Sequence, residues 1–363
     1  MYLFLINKIM KIILFSPMNL SYWWNIGSLL FMLMLIQIFS GFLLTLFYDN
    51  SATSFTSIWL IHMEVFFGAI LHYTHLNFSS FIFLFIYLHL VKAFFLNSYL
   101  NLKMVWVTGW LILMLIMMVA FLGYVLPWGQ MSLWGATVIT NLLSTLPWGL
   151  ELVQWIWGGY FVSIITLKLF FSIHFILPFV LLILIMSHMI MLHYSGSSNP
   201  LGSFSNMIKS EFSLVYLFKD LLNLWMILVL IIFSLINSFK LSDPENFILA
   251  NSLVSPIHIQ PEWYFLQYYA ILRAIPSKLG GVLLFLMSLV MIFMMIYFNS
   301  YYTNLDKMTM LMNVSFILIN ILLMWLGGQL VEAPYLNLSQ IISMFYFTWF
   351  LVKLYLLKIS QNN

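Results

Sequence analysis

Four histidines lie in two apolar stretches of the chain, and both stretches repeat one spacing. His75 and His89 are fourteen residues apart, and so are His174 and His188. On an α-helix, fourteen residues make nearly four turns and about 21 Å of rise, so both imidazoles of a pair point to nearly the same face. The hydrocarbon core of a membrane is about 30 Å thick. Two such helices predict two six-coordinate metal centres at different depths of a bilayer.

A haem with two axial histidines is the centre that this arrangement favours. Such a haem has no open coordination position, so its chemistry would be electron transfer rather than oxygen binding. The alternative is that buried histidines hydrogen-bond to neighbouring helices, which is the better explanation for a lone histidine but not for a duplicated spacing. Zinc is disfavoured because four nitrogens at two depths cannot form one tetrahedral site, and the chain has no cysteine.

Four glycines repeat the same spacing. Gly27 and Gly41 are fourteen residues apart, as are Gly109 and Gly123. A residue without a Cβ lets a flat macrocycle approach the helix backbone. The alternative is ordinary packing of helices through small residues. The match to the histidine spacing favours a role in haem binding.

Composition places the chain in a membrane. Of its 363 residues 64% are hydrophobic and 6% are charged, and its mean hydropathy is +1.04. A soluble domain of this size has more polar surface, so we predict a polytopic all-α membrane protein. The net charge of +3 is small, and no nucleic-acid partner is expected. An apolar lead-in, residues 2–15, is interrupted by Lys8 and Lys11 and predicts a segment lying on the membrane rather than a cleaved signal.

Eight apolar runs are long enough to span a bilayer, or nearly so. They cover residues 26–47, 76–96, 105–126, 170–192, 221–238, 279–298, 309–326 and 338–357. We predict that the first four form a haem-binding four-helix bundle within an N-terminal region, residues 1–200. The other four then form a C-terminal helical region, residues 201–363.

The order of the spans predicts which histidines meet. The second and fourth spans are separated by one span, so they run parallel. His75 should then share a depth with His174, and His89 should share a depth with His188. The glycines expected at these two depths are Gly41 and Gly123 for the first, and Gly27 and Gly109 for the second.

Charge predicts the orientation. With eight spans both termini lie on one side, which carries nine of the thirteen basic residues: Lys8, Lys11, Lys92, Lys103, Lys209, Lys219, Lys307, Lys353 and Lys358. The opposite side carries Lys168, Lys240, Arg273 and Lys278. This bias is expected when the termini face the compartment in which the chain is made.

Two connections are too long to be simple turns. Residues 127–169 carry five tryptophans, which favour the headgroup level, so we predict short surface helices there. Residues 239–278 contain four prolines, and we expect surface helices in this connection too. Both connections lie away from the termini and are predicted to roof a pocket.

Further protonatable residues lie near each predicted centre. On the terminal side, His193 and Asp220, with Ser197 nearby, suit a site that reduces a quinone and takes up protons. The alternative is a polar helix end with a loop salt bridge. On the far side, Glu262 in apolar surroundings would have a raised pKa and could accept a proton from a quinol. The alternative is a solvated acidic loop residue.

Several motifs resemble those of the cytochrome b family, the haem-bearing core subunits of quinol:cytochrome c reductase, or respiratory complex III. They are GYVLPWGQMS at 123–132, WGATVITNL at 134–142, PEWY at 261–264 and YAILR at 269–273. The resemblance runs from about residue 23 to the last span.

The resemblance implies two b-type haems. His75 and His174 would ligate the low-potential haem near the intermembrane side, and His89 and His188 the high-potential haem near the matrix. The implied quinol-oxidation pocket is lined by Tyr124, Gly135, Glu262 and Tyr264. The implied quinone-reduction pocket uses His193, Ser197 and Asp220.

The resemblance also implies a setting and partners. The family lies in the mitochondrial inner membrane, and the charge bias would put both termini of this chain in the matrix. Ubiquinol is the expected substrate. An iron–sulfur protein would take one electron from it, and the other electron would cross both haems to a second quinone. A c-type cytochrome and the other complex III subunits complete the expected, dimeric assembly.

Four positions depart from the family pattern. His72 stands where an arginine near a propionate of the low-potential haem is usual. Lys92 stands where an arginine near the other haem is common, and it keeps the charge without the bidentate fork. Phe78 replaces a common glycine, and Leu169 replaces a residue that is often basic.

Two other functions were weighed against this one. A transporter that uses histidines as proton relays predicts inverted repeats and helices broken at mid-membrane, and the sequence shows no repeat beyond the fourteen-residue spacing. A smaller two-haem cytochrome would lack the C-terminal half, and the connection that holds residues 261–264 argues against it.

Overall fold

The computed structural model describes residues 15–201, 209–297 and 307–362. The predicted lead-in, residues 2–15, lies outside these ranges except for residue 15. Thirteen α-helices lie within the described residues: α1 Ile26–Thr45, α2 Ser54–Glu64, α3 Gly68–Phe95, α4 Ser98–Asn101, α5 Lys103–Val125, α6 Gln130–Asn141, α7 Gly149–Trp157, α8 Ile164–Ser195, α9 Phe212–Ile236, α10 Leu266–Ala274, α11 Lys278–Met294, α12 Lys307–Gly327 and α13 Tyr335–Asn362.

Eight of the described helices are long and apolar enough to cross a membrane. They are α1, α3, α5, α8, α9, α11, α12 and α13, so the predicted all-α fold with eight spans is confirmed. Three of them begin at least six residues earlier than hydropathy predicted. Helix α3 begins at Gly68 rather than residue 76, α8 at Ile164 rather than residue 170, and α9 at Phe212 rather than residue 221. Polar or charged residues interrupt the apolar run near these helix starts, such as His72 in α3, Lys168 in α8 and Asp220 in α9, although the backbone there is helical.

The start of α8 has a local cause. Ser163 is its N-cap, and the Ser163 side chain accepts a hydrogen bond from the Ile165 backbone N–H. The Thr166 hydroxyl in turn lies 3.0 Å from the Ser163 backbone nitrogen. This capping box satisfies backbone donors that a helix start leaves free. Helix α8 therefore begins at Ile164, ahead of the charged Lys168.

The first four spans form the predicted bundle. Helix α5 packs along α8, and α1 packs along α3. Leu33, Phe78 and Leu181 are fully buried in the apolar cluster that joins these helices. The two helix pairs thus bring α3 and α8, which carry the four paired histidines, into one bundle.

The C-terminal half packs around a helix from the second long connection. Helix α10 contacts α11, α12 and α13, and its Ala270 and Ile271 are 1% and 0% exposed. The guanidinium of Arg273 donates to the carbonyls of Leu326 and Gly327 at 3.1 and 2.7 Å. Arg273 thereby satisfies carbonyls at the C-terminus of α12. Helix α10 is therefore a buried element of a connection that was expected to form surface helices.

The two long connections touch each other. The Gln130 backbone N–H donates to the Ile248 carbonyl at 2.9 Å, and the Ala250 N–H donates to the Trp128 carbonyl at 3.1 Å. The first connection contains α6 and α7, which are the short helices that its tryptophans predicted. The contact between the connections agrees with the predicted roof.

A small antiparallel sheet, β1 Phe15–Pro17 with β2 Lys209–Glu211, joins the start of the described chain to the segment before α9. Three-residue strands carry too little periodic pattern to be predicted, and neither strand was expected. The sheet fixes the chain next to the start of α1, where candidate site residues lie.

Candidate functional site

The first histidine pair joins α3 to α8. The ring centroids of His75 and His174 are 6.3 Å apart. Two imidazoles that bind one metal ion from opposite sides, through bonds of about 2.0 Å, place their centroids about 6.3 Å apart. A Cβ on Gly41 would lie 2.8 Å from Cε1 of His75, and one on Gly123 would lie 2.6 Å from Cε1 of His174. The two glycines therefore leave room for these rings that no other residue type would leave.

Both rings of the first pair are oriented by hydrogen bonds at Nδ1. His174 Nδ1 lies 2.9 Å from the Val119 carbonyl, which can only accept. His75 Nδ1 lies 3.0 Å from the Ser40 hydroxyl, whose own hydrogen goes to the Gln37 carbonyl at 3.2 Å. Each Nδ1 is therefore a donor, and each Nε2 keeps its lone pair for a metal.

The second pair lies on the same two helices. The ring centroids of His89 and His188 are 6.5 Å apart, which also fits one ion between two nitrogens. The nearby glycines are less crowded. A Cβ on Gly109 would lie 3.2 Å from Cε1 of His188, and one on Gly27 would lie 3.6 Å from Cε1 of His89.

Only one ring of the second pair is held by a hydrogen bond. His188 Nδ1 lies 2.9 Å from the Thr108 hydroxyl, whose hydrogen goes to a carbonyl of its own helix, that of Met104 or Val105, at 3.0 Å. His89 Nδ1 is buried and has no hydrogen-bond partner among the described residues. The protein thus fixes the tautomer of one ligand of this pair and not of the other.

The structure brings the four histidines together in the two pairs that their spacing and helix order predicted. Among the residues described, no three or more His, Cys, Asp or Glu side chains are grouped so that they could hold one metal ion. The nitrogens are instead divided two by two. Each pair can supply two bonds to one metal ion from opposite sides. Both pairs therefore fit a group that supplies the remaining, equatorial bonds itself, as a porphyrin does.

Three of the four positions that depart from the family pattern can be described by their surroundings. His72 Nδ1 lies 2.8 Å from Nε2 of His62, so one ring donates to the other. Lys92 places its ammonium 4.6 Å from the ring centroid of Trp24, a cation–π contact. Phe78, a third such position, is fully buried.

A cavity of about 260 Å³ lies beside the first histidine pair. Its lining includes both histidines and also Tyr124, Glu262 and Tyr264. A second cavity of about 30 Å³ is lined by Tyr124, Gly135 and Glu262. Tyr124 and Glu262 line both, so they form the wall between the two spaces. The four residues predicted for a quinol pocket are thus brought together next to His75 and His174.

Helix α3 positions the segment that carries Glu262. The Tyr264 ring stacks on Phe83 with centroids 4.0 Å apart and planes inclined by 2°. The Tyr264 carbonyl accepts from the Tyr87 hydroxyl at 2.5 Å. Burial raises the pKa of Glu262 to about 8, and the charge of Asp243 adds to the rise. Glu262 is thus a buried carboxyl group that exchanges protons near neutral pH.

On the terminal side, Asp220 is bound to the start of α1. Its Oδ1 accepts from Nδ2 of Asn25 at 2.7 Å and from the Ser28 hydroxyl at 2.5 Å. His193 is exposed at the end of α8, and Ser197 follows that helix. The Ser197 hydroxyl is buried without a partner among the described residues.

The start of α1 links these residues indirectly. Trp24 Nε1 donates to the Ser198 carbonyl at 2.8 Å, and the next residue, Asn25, contacts Asp220. The segment that carries Ser197 and the helix that carries Asp220 therefore contact two consecutive residues, Trp24 and Asn25. Within the described chain no hydrogen bond joins His193 or Ser197 directly to Asp220.

Three polar residues of this region were not predicted from the sequence: Asn25, Ser28 and Asn223. A signal was available, because polar residues inside apolar spans face the protein interior. Asn223 follows Asp220 by three residues, and Asn25 precedes Ser28 by three, so each pair shares a helix face.

Most of the chain is similar to known protein families. It matches the family described as cytochrome b/b6/petB over residues 11–196 and the family described as cytochrome b (C-terminal)/b6/petD over residues 249–347. It is 45% identical to a cytochrome b of Apis mellifera ligustica over 369 residues, which covers 98% of this chain and 95% of that protein. A chain of a solved structure titled hyperthermophilic respiratory Complex III superposes with a TM-score of 0.89 at 29% identity, over 96% of this chain and 94% of that one.

These similarities extend over nearly the whole chain and agree with its eight spanning helices. The chain belongs to the cytochrome b family, the haem-binding electron-transport membrane subunits of respiratory complex III.

Proposed function

We propose that this chain oxidises quinol on the side away from its termini and reduces quinone on the terminal side, with a b-type haem held by each histidine pair. One observation carries the proposal. Two imidazole pairs with centroids 6.3 and 6.5 Å apart lie on the same two helices. The first pair also shares a cavity with the buried carboxyl group of Glu262.

The four histidines would hold the haems through Nε2. His75 and His174 would bind the low-potential haem, and His89 and His188 the high-potential haem. Once bound, the two haems supply one-electron transfer across the bilayer. Gly41 and Gly123, and Gly27 and Gly109, keep the helix backbones clear of the imidazoles, as the close Cβ positions indicate. Lys92, three residues after His89, supplies a positive charge near the second pair.

On the far side, a carboxylate oxygen of Glu262 would accept a proton from quinol. A base with a pKa near the working pH is an effective acceptor. Tyr124 and Glu262 lie between the two cavities, so the group that takes the proton borders both spaces. Gly135 lines the smaller cavity, and nothing lies within 4 Å of the position that its Cβ would take. The space beside this residue is therefore open. The stacked Tyr264 ring supplies a rigid wall.

On the terminal side, His193 and Asp220 would supply the two protons that a quinone takes up with two electrons. The Ser197 hydroxyl, which is buried and has no partner in the described parts of the chain, would donate to a quinone oxygen. A buried donor without a partner costs about 1–3 kcal/mol, so a ligand that accepts this hydrogen bond would be favoured there.

This function implies partners and a location. The chain has no cysteine, so it holds no cysteine-ligated iron–sulfur cluster of its own. As in the family it belongs to, an iron–sulfur protein would take the first electron from quinol, and a c-type cytochrome would receive it. These and the other complex III subunits would form a dimeric complex in the mitochondrial inner membrane. Ubiquinone is the substrate, and the charge bias puts both termini in the matrix.

A reduced-minus-oxidised visible spectrum of the purified complex tests the proposal. We expect two b-type components with different midpoint potentials. Glu262→Gln should retain both components while quinol oxidation slows. A colourless protein, or a single b-type component that titrates in one step, would overturn the proposal.

A further inference from the structure

A fully buried amide connects α9 to the start of α1. Asn223 is 0% exposed. Its Oδ1 accepts from the Tyr22 hydroxyl at 2.7 Å, and its Nδ2 donates to the Ser28 hydroxyl oxygen at 3.0 Å and to the Asn25 carbonyl at 3.2 Å. Both amide hydrogens and the oxygen are therefore engaged, as a buried amide requires.

In these hydrogen bonds each residue donates to the next, from Tyr22 to Asn223, then to Ser28 and Asp220. The Tyr22 hydroxyl donates to Asn223 Oδ1, which leaves Nδ2 facing Ser28. Because Nδ2 donates to the Ser28 oxygen, the hydrogen of that hydroxyl points elsewhere. Two acceptors are in reach, Asp220 Oδ1 at 2.5 Å and the Asn25 carbonyl at 2.8 Å. The carboxylate is the nearer and the charged acceptor, so it takes the hydrogen.

The two oxygens of Asp220 consequently differ. Oδ1 accepts from both Ser28 and Asn25. An oxygen that accepts two hydrogen bonds is the carbonyl oxygen when the acid is protonated, so the proton belongs on Oδ2. The neighbouring Lys219 ammonium donates to the Leu20 carbonyl at 2.8 Å, so its hydrogen bond does not decide between the two oxygens.

We infer that Tyr22, Asn223 and Ser28 form a hydrogen-bonded chain that positions Asp220, so that Oδ1 is fixed and Oδ2 alone exchanges a proton with the quinone. The inference rests on the proposed role of Asp220 in quinone reduction and deepens it. The proton leaves Oδ2 for a quinone oxygen and is replaced from solvent. No bond in the chain of three residues breaks, so these are positioning residues.

Redox-induced infrared difference spectra of the intact complex test the inference. The carbonyl stretch of a protonated carboxyl group depends on how many donors its carbonyl oxygen accepts. We expect a carboxyl band that Asp220→Asn removes. Ser28→Ala should shift this band to higher frequency, because Oδ1 loses a donor. Ser28→Thr, which keeps the hydroxyl, should leave the band in place.

Kinetics supply a second measurement. Ser28→Ala should lower kcat for quinone reduction about tenfold while KM changes little, because proton delivery and not binding is affected. Ser28→Thr should restore most of the rate. Tyr22→Phe removes only the outer end of the chain, so it should shift the band in the same direction by less. This variant also keeps the test available if Ser28→Ala does not assemble, as judged from its haem bands.

The outcomes separate the inference from the proposed function. If Asp220→Asn removes the band but Ser28→Ala and Tyr22→Phe leave it unshifted, Asp220 keeps its role and the positioning chain is wrong. If Asp220→Asn leaves both the band and quinone reduction unchanged, the proposed role of Asp220 is wrong and the inference falls with it.

Discussion

The two histidine pairs share two helices, but the protein holds them differently. At the first pair both Nδ1 atoms are hydrogen-bonded, to Ser40 and to the Val119 carbonyl. At the second pair the Nδ1 of His188 is hydrogen-bonded, whereas that of His89 has no partner among the described residues. Ring orientation is therefore set by the protein at three of these four positions.

The glycines show the same contrast. Added Cβ atoms would come within 2.6 and 2.8 Å of the imidazoles of the first pair, but only within 3.2 and 3.6 Å at the second. The first site is thus tightly built, and the second has more room. A tightly built site should tolerate less change, and its ligands need less adjustment when a cofactor binds.

The strongest test of this comparison removes one ligand from each pair. His174→Ala should abolish the low-potential b-type component, and His188→Ala should abolish the high-potential one, because a single imidazole cannot hold the bis-histidine centre. Potentiometric titration of the visible bands measures both. His193→Ala, on the same helix, is the matched control and should retain both components. Loss of the wrong component in an assembled protein would contradict the pairing.

Glycine substitutions probe the tightness of the two sites directly. Gly123→Ala places a methyl group 2.6 Å from Cε1 of His174, whereas Gly27→Ala places one 3.6 Å from Cε1 of His89. Overpacking costs about 1–3 kcal/mol, so Gly123→Ala should lose most of the low-potential haem. Gly27→Ala makes an ordinary contact and should retain the high-potential haem. The measurement is the haem content per protein for each variant. Equal losses of haem in the two variants would contradict the difference in tightness between the sites.

The first region also differs in having a titratable carboxyl group at its cavity. Glu262→Gln should lower quinol oxidation about 100-fold, with both haems retained. In the unaltered protein, the fraction of Glu262 able to accept a proton grows as the pH rises toward about 8. The rate should therefore rise with pH over this range, and the glutamine variant should lack the rise.

A control for that pH dependence is Asp243→Asn. The Asp243 charge contributes to the raised pKa of Glu262, so its removal should move the rising part of the pH profile to lower pH. A profile unchanged in Asp243→Asn and in Glu262→Gln would assign the titration to another group.

The contrast between the pairs marks the limit of prediction from sequence. Helix periodicity and span order were enough to predict which imidazoles meet, because both depend only on residue spacing. The Nδ1 partners were not predictable, since Ser40 and Val119 lie on other helices whose rotation about their axes the spacing does not fix. The hydrogen bonds from Asn25 and Ser28 to Asp220 were missed for the same reason.

The fold shows a similar limit. Hydropathy identified eight spans because each needs about twenty apolar residues. It placed the start of α3 eight residues late, since His72 and Thr74 lower the hydropathy of a turn that is nonetheless helical. It also assigned α10 to a surface connection, whereas Ala270 and Ile271 are buried against the last spans. Short helices buried by later elements carry no hydropathy signal of their own.

The smallest effect expected concerns the Nδ1 hydrogen bonds. An Nδ1–H that donates to an oxygen makes the imidazole a stronger ligand and stabilises the oxidised metal. Ser40→Ala removes this partner from His75 and should raise the midpoint potential of the low-potential haem only. Thr108→Val should do the same for the high-potential haem through His188. Each shift should stay below about 60 mV, the equivalent of tenfold for one electron.

The exposed Ser172, two residues before His174 on α8, offers a matched control. Its hydroxyl donates to the Lys168 carbonyl of its own helix and not to a histidine, so Ser172→Ala should leave both potentials unchanged. If Ser40→Ala moved the two potentials equally, the effect would come from a general change in the bundle. A shift confined to one haem per variant would show that each imidazole is tuned by its own partner, of which the described residues supply two at the first site and one at the second.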